Sequence, residues 1–400
     1  MSAKIYQVTV CVQSLHDWSS GILQGISDFV QTRDDWSVFL NLITGPSLQP
    51  NLSGWRGDGL ITTAMNPDIR AELERLPIPV VNVAGTLPDA RLPSVVGNDF
   101  LFGQTAARHF LDQGYRHLAC IKAETLRFGE MRFEGYKREA ESRGAQVHES
   151  LDAHLINGKP WVEQFEVIQT WLNRLPRPVG ILGIFDELAH RVLEACHSSQ
   201  IPVPDEVAIV GVDNSQALCL LSNPGLSSVS PDARRRGRIV AEMLHHYMTR
   251  GKDPLPVPEA DILIETSPSG FPLWRVPPNG IRKRGSTAAF AAEDPLVQKA
   301  LNQIVAHTST GLHVEDLARR VGASRRTLER RFQLALGRTV YEEIRRQRLE
   351  RACQLLTDTR SSVLEVALDS GFQSASDLAN AFRKYLNMKP GEYRERFRVI

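Results

Sequence analysis

The chain has 400 residues, of which 42% are apolar, enough for two or three domains with buried cores. Its net charge of +1 conceals an asymmetry, since residues 281–400 contain 22 Lys and Arg against 14 Asp and Glu, and the first 280 residues contain 25 against 32. This composition excludes a membrane span, because no apolar run approaches about 18 residues, and it restricts a polyanionic partner to the basic tail.

The cysteines and the amino terminus predict a cytoplasmic protein. Cys11, Cys120, Cys196, Cys219 and Cys353 form no C-x-x-C pair and mostly lie in apolar runs. Such cysteines are typical of buried thiols in a reducing compartment. The first residues, MSAKIYQVTVCVQ, lack the apolar core of a signal peptide.

Through about residue 265, short β-branched runs alternate with amphipathic helical patterns. The predicted strands are YQVTVCV, WSVFLNLI, IPVVNVAG, RHLACIKA, VGILGIF and EVAIVGVD. The predicted helices cover residues 19–32, 102–113, 132–143, 161–175, 187–198 and 232–249. Strands that alternate with helices indicate α/β lobes, with parallel sheets covered by helices on both faces, and this length suits two lobes.

The stretch SPSGFPLWRVPPNGIRKRGST is rich in Pro, Gly, Ser and positive charge, which is typical of a linker. We therefore assign residues 1–280 to a two-lobed α/β domain whose linker character begins at about residue 267. Residues 281–293 complete the linker. Residues 294–400 are helical in pattern throughout, which predicts an all-α domain.

The tail contains one small helical pattern twice, as SRRTLERRF and SASDLANAF. Each has serine, then leucine four residues later and phenylalanine eight later, and each follows an Ala-x-x-x-Gly stretch. The small residue lets two helices approach, glycine permits the turn, and serine caps the second helix. Asp377, three residues after Ser374, predicts an S-x-x-D capping box. The pattern therefore predicts two helix-turn-helix units.

Two such units with the same spacing favour DNA binding over a generic helical hairpin. The segment between them, RTVYEEIRRQRLERACQLL, predicts a connecting helix of about 19 residues and roughly 28 Å. Since successive major-groove faces of B-DNA lie about 34 Å apart, one chain can place two recognition helices in adjacent grooves.

The outward faces of the two predicted recognition helices differ in charge. Arginine is the usual bidentate partner of guanine and a frequent phosphate contact, so the first helix is predicted to be the main reader. The predicted DNA contacts are Arg325, Arg326, Arg330 and Gln333 on the first helix, and Ser376, Asn380, Arg383 and Lys384 on the second.

Residues 294–400 resemble the DNA-binding domain of the AraC family of transcription regulators. The resemblance rests on RL..A..LL in the connecting helix, GF.S before the second recognition helix, FRKY, and the closing P.EYR. The segment SDLANAF departs from the family pattern, which leaves contacts of the second helix open.

Most of residues 5–265 resemble the two-lobed sugar-binding fold of LacI-type repressors and periplasmic binding proteins. The matching segments include VVGNDFLFGQTAARHFLDQGYRHLACI, RFEGY, GIFDELAHRVLEACHSSQIPVPDEVAIVGVDN and LSSVSPD. The union of this domain with an AraC-type tail resembles the xylose-operon regulators. This resemblance implies a homodimer that binds operator DNA, senses a pentose such as D-xylose, and contacts RNA polymerase if it activates transcription.

A sugar requires carboxylates, guanidinium groups and an aromatic plate, placed in loops at the carboxyl ends of parallel strands. The candidate effector contacts are Asp17, Trp18, Arg132, Asp186 and Asp213. Asn98, Asp99 and Asn214 are instead predicted to cap or hold the loops.

No G-x-S-x-G, Walker, G-x-G-x-x-G or HExxH motif is present in the sequence, so we expect no enzyme activity and no cofactor. Adjacent His245 and His246 point to different helix faces and make a poor metal pair. Two alternatives stay open: a regulator of the same build that senses a non-sugar metabolite, and a constitutive DNA-binding protein whose body only dimerises.

Overall fold

The computed structural model describes residues 4–13, 17–43, 56–63, 67–87, 89–123, 126–251, 253–256, 259–292 and 294–397. Two compact units make up the chain. Unit 1 contains residues 1–109 and 117–287, and unit 2 contains residues 110–116 and 288–400. The predicted α/β class of the body and all-α class of the tail are both confirmed.

The first sheet of unit 1 forms lobe 1. Its strands are β1 (Tyr6–Gln13), β2 (Trp36–Ile43), β3 (Gly59–Thr62), β4 (Val80–Asn82), β5 (Ser94–Gly97), β12 (Leu263–Thr266) and β13 (Pro272–Val276), in the order β12-β13-β5-β4-β3-β1-β2. The helices α1 (Asp17–Gln31) and α8 (Ala233–Arg250) pack on Val8 and Val10 of one face, and α2 (Pro67–Leu73) packs on Cys11 of the other. Successive residues of a strand point to opposite faces of the sheet, so one short apolar run packs against the helices on both faces.

The second sheet forms lobe 2. Its strands are β6 (His117–Lys122), β7 (Gln146–Val147), β8 (Leu151–Asp152), β9 (Val179–Gly183), β10 (Val207–Val212), β11 (Ser227–Pro231) and β14 (Pro278–Arg282), in the order β14-β11-β10-β9-β6-β7 with β8 beside β6. Among them lie α3 (Asp99–Asp112), α4 (Arg127–Ser142), α5 (Trp161–Leu172), α6 (Asp186–Ser198) and α7 (Gln216–Leu221). Every residue of β9 and β10 is buried, as expected for central parallel strands.

The chain crosses between the two sheets three times within unit 1. β5 of the first sheet is followed by β6 of the second, β11 by β12, and β13 by β14. The first and third crossings are joined where the amide of Asn98 donates to the carbonyl of Val276 at 2.7 Å. The loop at the carboxyl end of β5 therefore lies at a crossing between the two lobes.

Unit 2 contains seven helices in the part that the structure describes. They are α9 (Pro295–Ala306), α10 (Val314–Val321), α11 (Arg325–Leu336), α12 (Val340–Asp358), α13 (Val363–Asp369), α14 (Ala375–Leu386) and α15 (Pro390–Phe397). One core surrounds Leu328 and Phe332, and a second surrounds Leu378 and Phe382. Residues 110–116 are attached to this unit in part by Arg116, whose guanidinium donates to the carbonyl of Ala335 at 2.9 Å.

All six predicted helices are present, and the largest difference is at α4, which begins at Arg127 rather than Arg132. The linker prediction was wrong between residues 267 and 282. The segment PLWR is part of β13, which pairs in parallel with β5, and β14 pairs with β11. Backbone hydrogen bonds to neighbours distant in sequence outweigh a composition that is locally typical of a loop.

The sequence prediction of buried thiols is met at four of the five cysteines, and Cys353 is half-buried. Burial raises the pKa of Cys11 and of Cys196 to about 12, so these thiols stay protonated. Within the described ranges, no helix combines the length and the apolar character that a bilayer crossing requires.

Candidate effector site and nucleic-acid interface

Arg132 is the centre of a buried ion cluster between the lobes of unit 1. It lies on α4, and its Nε donates to the Asp99 carboxylate at 2.8 Å while Nη2 lies 3.4 Å from the Asp213 carboxylate. A further N–H donates to the carbonyl of Ile184. Burial opposes the charge on Arg132, but Asp213 and Asp99 outweigh it and raise its pKa. The guanidinium is thus charged and held in one orientation.

Asp213 presents the most accessible carboxylate of this cluster. It follows β10, and 26% of its side chain is accessible, against 7% for Asp99. Its φ is +102° and that of Asn214 is +51°, a left-handed conformation that side chains with Cβ rarely adopt. Backbone strain of this kind concentrates at functional sites, because the surrounding structure must hold it. The strained turn directs Asp213 toward Arg132.

Asp186 is fully buried, and its two oxygens are both used inside the protein. One accepts from the amide of Ser215 at 2.6 Å, and the other accepts from the hydroxyl of Ser228 at 2.6 Å. Burial, and then the nearby Asp213 carboxylate, raise the pKa of Asp186 to about 7. A Cβ at Gly211 would lie 2.1 Å from this carboxylate, so only glycine fits there. Although predicted as an effector contact, Asp186 holds the loop that carries Asp213.

Asp17 and Trp18 begin α1, on the side of lobe 1. The Asp17 carboxylate accepts from the amide of Gln216 at 2.7 Å, which links the start of α1 to the start of α7 across the lobes. The Trp18 ring is half-buried and lies under the guanidinium of Arg236, 5.2 Å from its central carbon to the ring centroid. Trp18 therefore stands at the edge of the ion cluster, as an aromatic plate for a sugar would.

Sequence reasoning missed Arg236 and gave Asp99 only a role in holding a loop. Arg236 is buried on α8, inside the run ARRRGR, where no local pattern distinguishes it from its neighbours. Asp99 pairs with Arg132, 33 residues away in sequence. Asn98 does cap, because its side chain accepts from the amide of Leu101 at 3.2 Å. Gly237, the residue after Arg236, packs against the backbone of Ile22 on α1, where a Cβ would not fit.

The first helix-turn-helix unit consists of α10 and α11. Gly322 ends α10 with φ +77°, and the hydroxyl of Ser324 accepts from the amide of Thr327 at 3.1 Å. Leu328 and Phe332 are fully buried. The predicted turn, cap and core pair are all present, each in the residue to which the spacing assigned it.

The second unit, α13 and α14, repeats this geometry with one difference. Gly371 has φ +81°, and the hydroxyl of Ser374 accepts from the amide of Asp377 at 3.1 Å. The capping box predicted there is only half formed, because the Asp377 carboxylate lies instead 3.4 Å from the guanidinium of Arg345 on α12. An arginine from another helix thus replaces the backbone amide as its partner.

All the predicted DNA contacts on α11 and α14 are exposed. Arg325 forms an ion pair with Glu315, and Arg383 donates to the side-chain oxygen of Asn380 at 2.9 Å. Surface pairs of this kind contribute little and exchange readily for phosphate or base contacts. The connecting helix α12 has the predicted length of 19 residues.

The connecting helix begins with a buried acidic residue. Glu343 accepts from Arg338 at 2.6 Å and from Arg346 at 2.8 Å. Although burial opposes its charge, Arg346 and Arg338 lower the pKa of Glu343 to about 2. These two arginines therefore support the helix junction and are not free for DNA.

Comparison with known proteins agrees with this geometry. A model of the periplasmic binding protein-like domain matches residues 107–267, and a model of a helix-turn-helix domain matches residues 317–396. The xylose operon regulatory protein of Escherichia coli is 26% identical over 99% of this chain and 98% of its own, and that of Haemophilus influenzae is 26% identical over 98% and 99%. The chain is a DNA-binding transcription regulator.

Solved structures extend the likeness of this regulator to its whole length. The structure of the xylose-binding transcription activator xylR matches with a TM-score of 0.61 and 25% identity, over 99% of both chains. The transcriptional regulator CelR–cellobiose complex shares the fold at 19% identity, with a TM-score of 0.55 over 71% of this chain and 85% of its own. The expected combination of a periplasmic binding protein-like body with an AraC-type tail is thereby confirmed.

Proposed function

We propose that this regulator is a sugar-responsive activator of pentose catabolic genes, with D-xylose as its effector. The observation that carries the proposal is the cluster of Arg132, Asp99 and Asp213 between the lobes. It presents fixed donors and acceptors beside Trp18, and a polyol needs both kinds of partner. The full-length likeness to proteins named for the xylose operon supports the same effector.

The proposed mechanism couples the cleft to DNA through lobe closure. A sugar that bridges the lobes stabilises the closed form, and closure changes the outer surface of unit 1. If that surface forms a homodimer, the two DNA-binding domains are reoriented so that they span two operator half-sites. By linkage, operator DNA and sugar then strengthen each other's binding by the same factor, with a coupling of about 1–3 kcal/mol.

Several finer parts of the proposal follow from the same reasoning. The protein acts in the cytoplasm, has no enzyme activity, and contacts RNA polymerase as an activator. Its sensor corresponds to residues 1–280 and its DNA-binding domain to residues 294–400. The predicted DNA contacts divide into base readers, chiefly Arg330, and backbone contacts, chiefly Lys384.

The test is an operator titration with and without D-xylose, for the wild type and for Asp213→Ala. We expect D-xylose to raise the operator affinity of the wild type and to leave Asp213→Ala unaffected, because the variant lacks the hydrogen-bond acceptor that Asp213 presents to the sugar. Without sugar, both proteins should bind operator equally.

A thermal-shift panel of pentoses, hexoses and their phosphates identifies the effector independently. A sugar response that Asp213→Ala retains in full would contradict this cleft as the sensor. A wild type that no sugar stabilises would contradict the effector class and favour a non-sugar metabolite or a purely dimerising body.

A further inference from the structure

Arg236 differs from Arg234 and Arg238, which lie two positions away on either side of it in α8. Arg235 is as buried as Arg236, but its guanidinium is paired with Glu259 and Asp261. Arg234 and Arg238 have 49% and 66% of their side chains accessible, and each pairs with a carboxylate, of Asp28 and Glu242. Arg236 is only 9% accessible, and its buried Nε has no hydrogen-bond partner among the residues that the structure describes. A buried donor without a partner is costly. Four other arginines in the described residues have such an Nε, but Arg236 is the one of the five whose charge meets Asp99 and Asp213 between the lobes, so its donor points to a ligand atom there.

The surroundings of Arg236 place this donor in the effector cleft. Its guanidinium lies over the Trp18 ring, and its charge interacts with those of Asp99 and Asp213. Burial lowers the pKa of Arg236 to about 10, against the opposing influence of these two carboxylates, so it is charged at neutral pH. Both carboxylates are already engaged with Arg132.

The chemistry of the guanidinium restricts the ligand atom that it receives. An arginine side chain has donors and no acceptor, so its partner must accept. A sugar hydroxyl both donates and accepts, so it can bind the Asp213 carboxylate as well as the Arg236 guanidinium. The ring oxygen of a cyclic sugar accepts and cannot donate, so it suits a donor such as Arg236 and cannot bind a carboxylate such as Asp213. An anionic oxygen also accepts. However, the positive charges of the two cluster arginines already balance the negative charges of Asp99 and Asp213, so an anionic ligand would bring an uncompensated charge.

We propose that Arg236 donates to the ring oxygen of the neutral cyclic sugar that binds over Trp18, and so selects cyclic aldoses against their open-chain alditols. This inference rests on the proposed sugar effector. It adds a specificity-determining residue that sets which form of the sugar is bound.

The experiment measures dissociation constants of the full-length protein by calorimetry for D-xylose, xylitol and D-xylonate. Arg236→Met removes the donors and keeps an apolar side chain, and Arg238→Met is the matched control on the exposed face of the same helix. We expect Arg236→Met to bind D-xylose about ten- to hundredfold more weakly, as for loss of a charged hydrogen bond. Its preference for D-xylose over xylitol should fall by a similar factor, and Arg238→Met should match the wild type.

A second measurement separates this role from a structural one. Arg236→Met and Arg236→Gln both remove the positive charge beside Asp99 and Asp213, so without ligand they should melt at the same temperature as each other. Arg236→Gln keeps an amide donor and should recover part of the D-xylose affinity. If both variants lose affinity for xylitol as much as for D-xylose, Arg236 is structural and the inference is overturned.

The remaining outcomes also decide between the alternatives. Unchanged D-xylose affinity in Arg236→Met would overturn the inference and leave the sugar effector standing. Tighter binding of D-xylonate than D-xylose by the wild type, lost in Arg236→Met, would assign an anion site instead. A wild type that binds none of the three compounds would overturn the proposed effector and, with it, this inference.

Discussion

Arg132 in the candidate effector cleft and Arg330 on α11, the first predicted recognition helix, carry the same guanidinium in opposite surroundings. Arg132 is buried, and the Asp99 and Asp213 carboxylates lie 2.8 and 3.4 Å from it. Arg330 is exposed on α11. Buried pairs are hardly screened by salt and depend on their partners, whereas exposed cations are screened and stay available to a polyanion. Burial, more than residue type, decides what each arginine does.

The same difference in burial and pairing reduces the positive charge that the basic tail has available for a partner. Residues 281–400 contain 22 Lys and Arg, but Arg338 and Arg346 are held by the buried Glu343. Arg345 approaches Asp377, and Arg348 donates to the carbonyl of Leu312. The positive charge that residues 281–400 expose to solvent is therefore smaller than composition suggests, and it lies on α10 and α12 as well as on α11 and α14.

The largest expected effect tests the buried side of the comparison. Arg132→Met leaves the Asp99 carboxylate buried without its cation, and breaking such a pair costs about 3–5 kcal/mol of unfolding free energy. Arg138→Met is the control, because Arg138 lies on the same helix with 66% of its side chain accessible and should change stability by less than about 0.5 kcal/mol. Urea denaturation at pH 7 measures both. Equal unfolding free energies for Arg132→Met and Arg138→Met would mean that the ion cluster does not stabilise the fold.

A second prediction concerns the pH dependence of the sensor. The pKa of Asp186 is about 7 in the folded protein, against an ordinary value of 3.8, so the folded state binds the proton more tightly. Protonated Asp186 contributes to the unfolding free energy of the protein. This contribution is present in full below pH 3.8 and is lost as the pH rises through 7, which lowers the unfolding free energy by up to about 4 kcal/mol. Asp186→Asn removes this dependence, and its amide can still accept from Ser215 and donate to Ser228.

Chemical denaturation between pH 5 and pH 8 checks the sign. The difference in unfolding free energy between Asp186→Asn and the wild type should grow in favour of the variant as the pH rises. A difference that stays constant over this range would show that Asp186 is ionised throughout.

The smallest expected effect tests the exposed side. Arg330→Ala should cost about 1–3 kcal/mol on the specific operator and relax preference at one base position. Lys384→Ala should weaken binding to every duplex alike and reduce the salt slope of log affinity by about 0.9. Titrations against operator and random DNA at several salt concentrations distinguish them. If Arg330→Ala lowered both affinities by one factor, Arg330 would be a backbone contact.

Much of the architecture was predictable, because it depends on local patterns. The alternation of strands and helices predicted a two-lobed α/β body, and the serine, leucine and phenylalanine spacing predicted both helix-turn-helix units. The prediction was wrong at β13 and β14, where sheet pairing with β5 and β11 overrides a loop-like composition. It was incomplete at Asp377, whose carboxylate found Arg345 on another helix.

The sequence by itself determined the class of the protein and the exposed face of each recognition helix, since helical periodicity assigns residues to faces without further information. Only the tertiary structure decided the roles within the cleft. Four separate segments contribute the charged residues of the cleft, which are Asp99, Arg132, Asp213 and Arg236. Whether each of these side chains forms an ion pair, holds a loop or keeps an unpartnered donor depends on neighbours distant in sequence. Electrostatic energy follows distance and burial in space, which no local pattern of residues encodes.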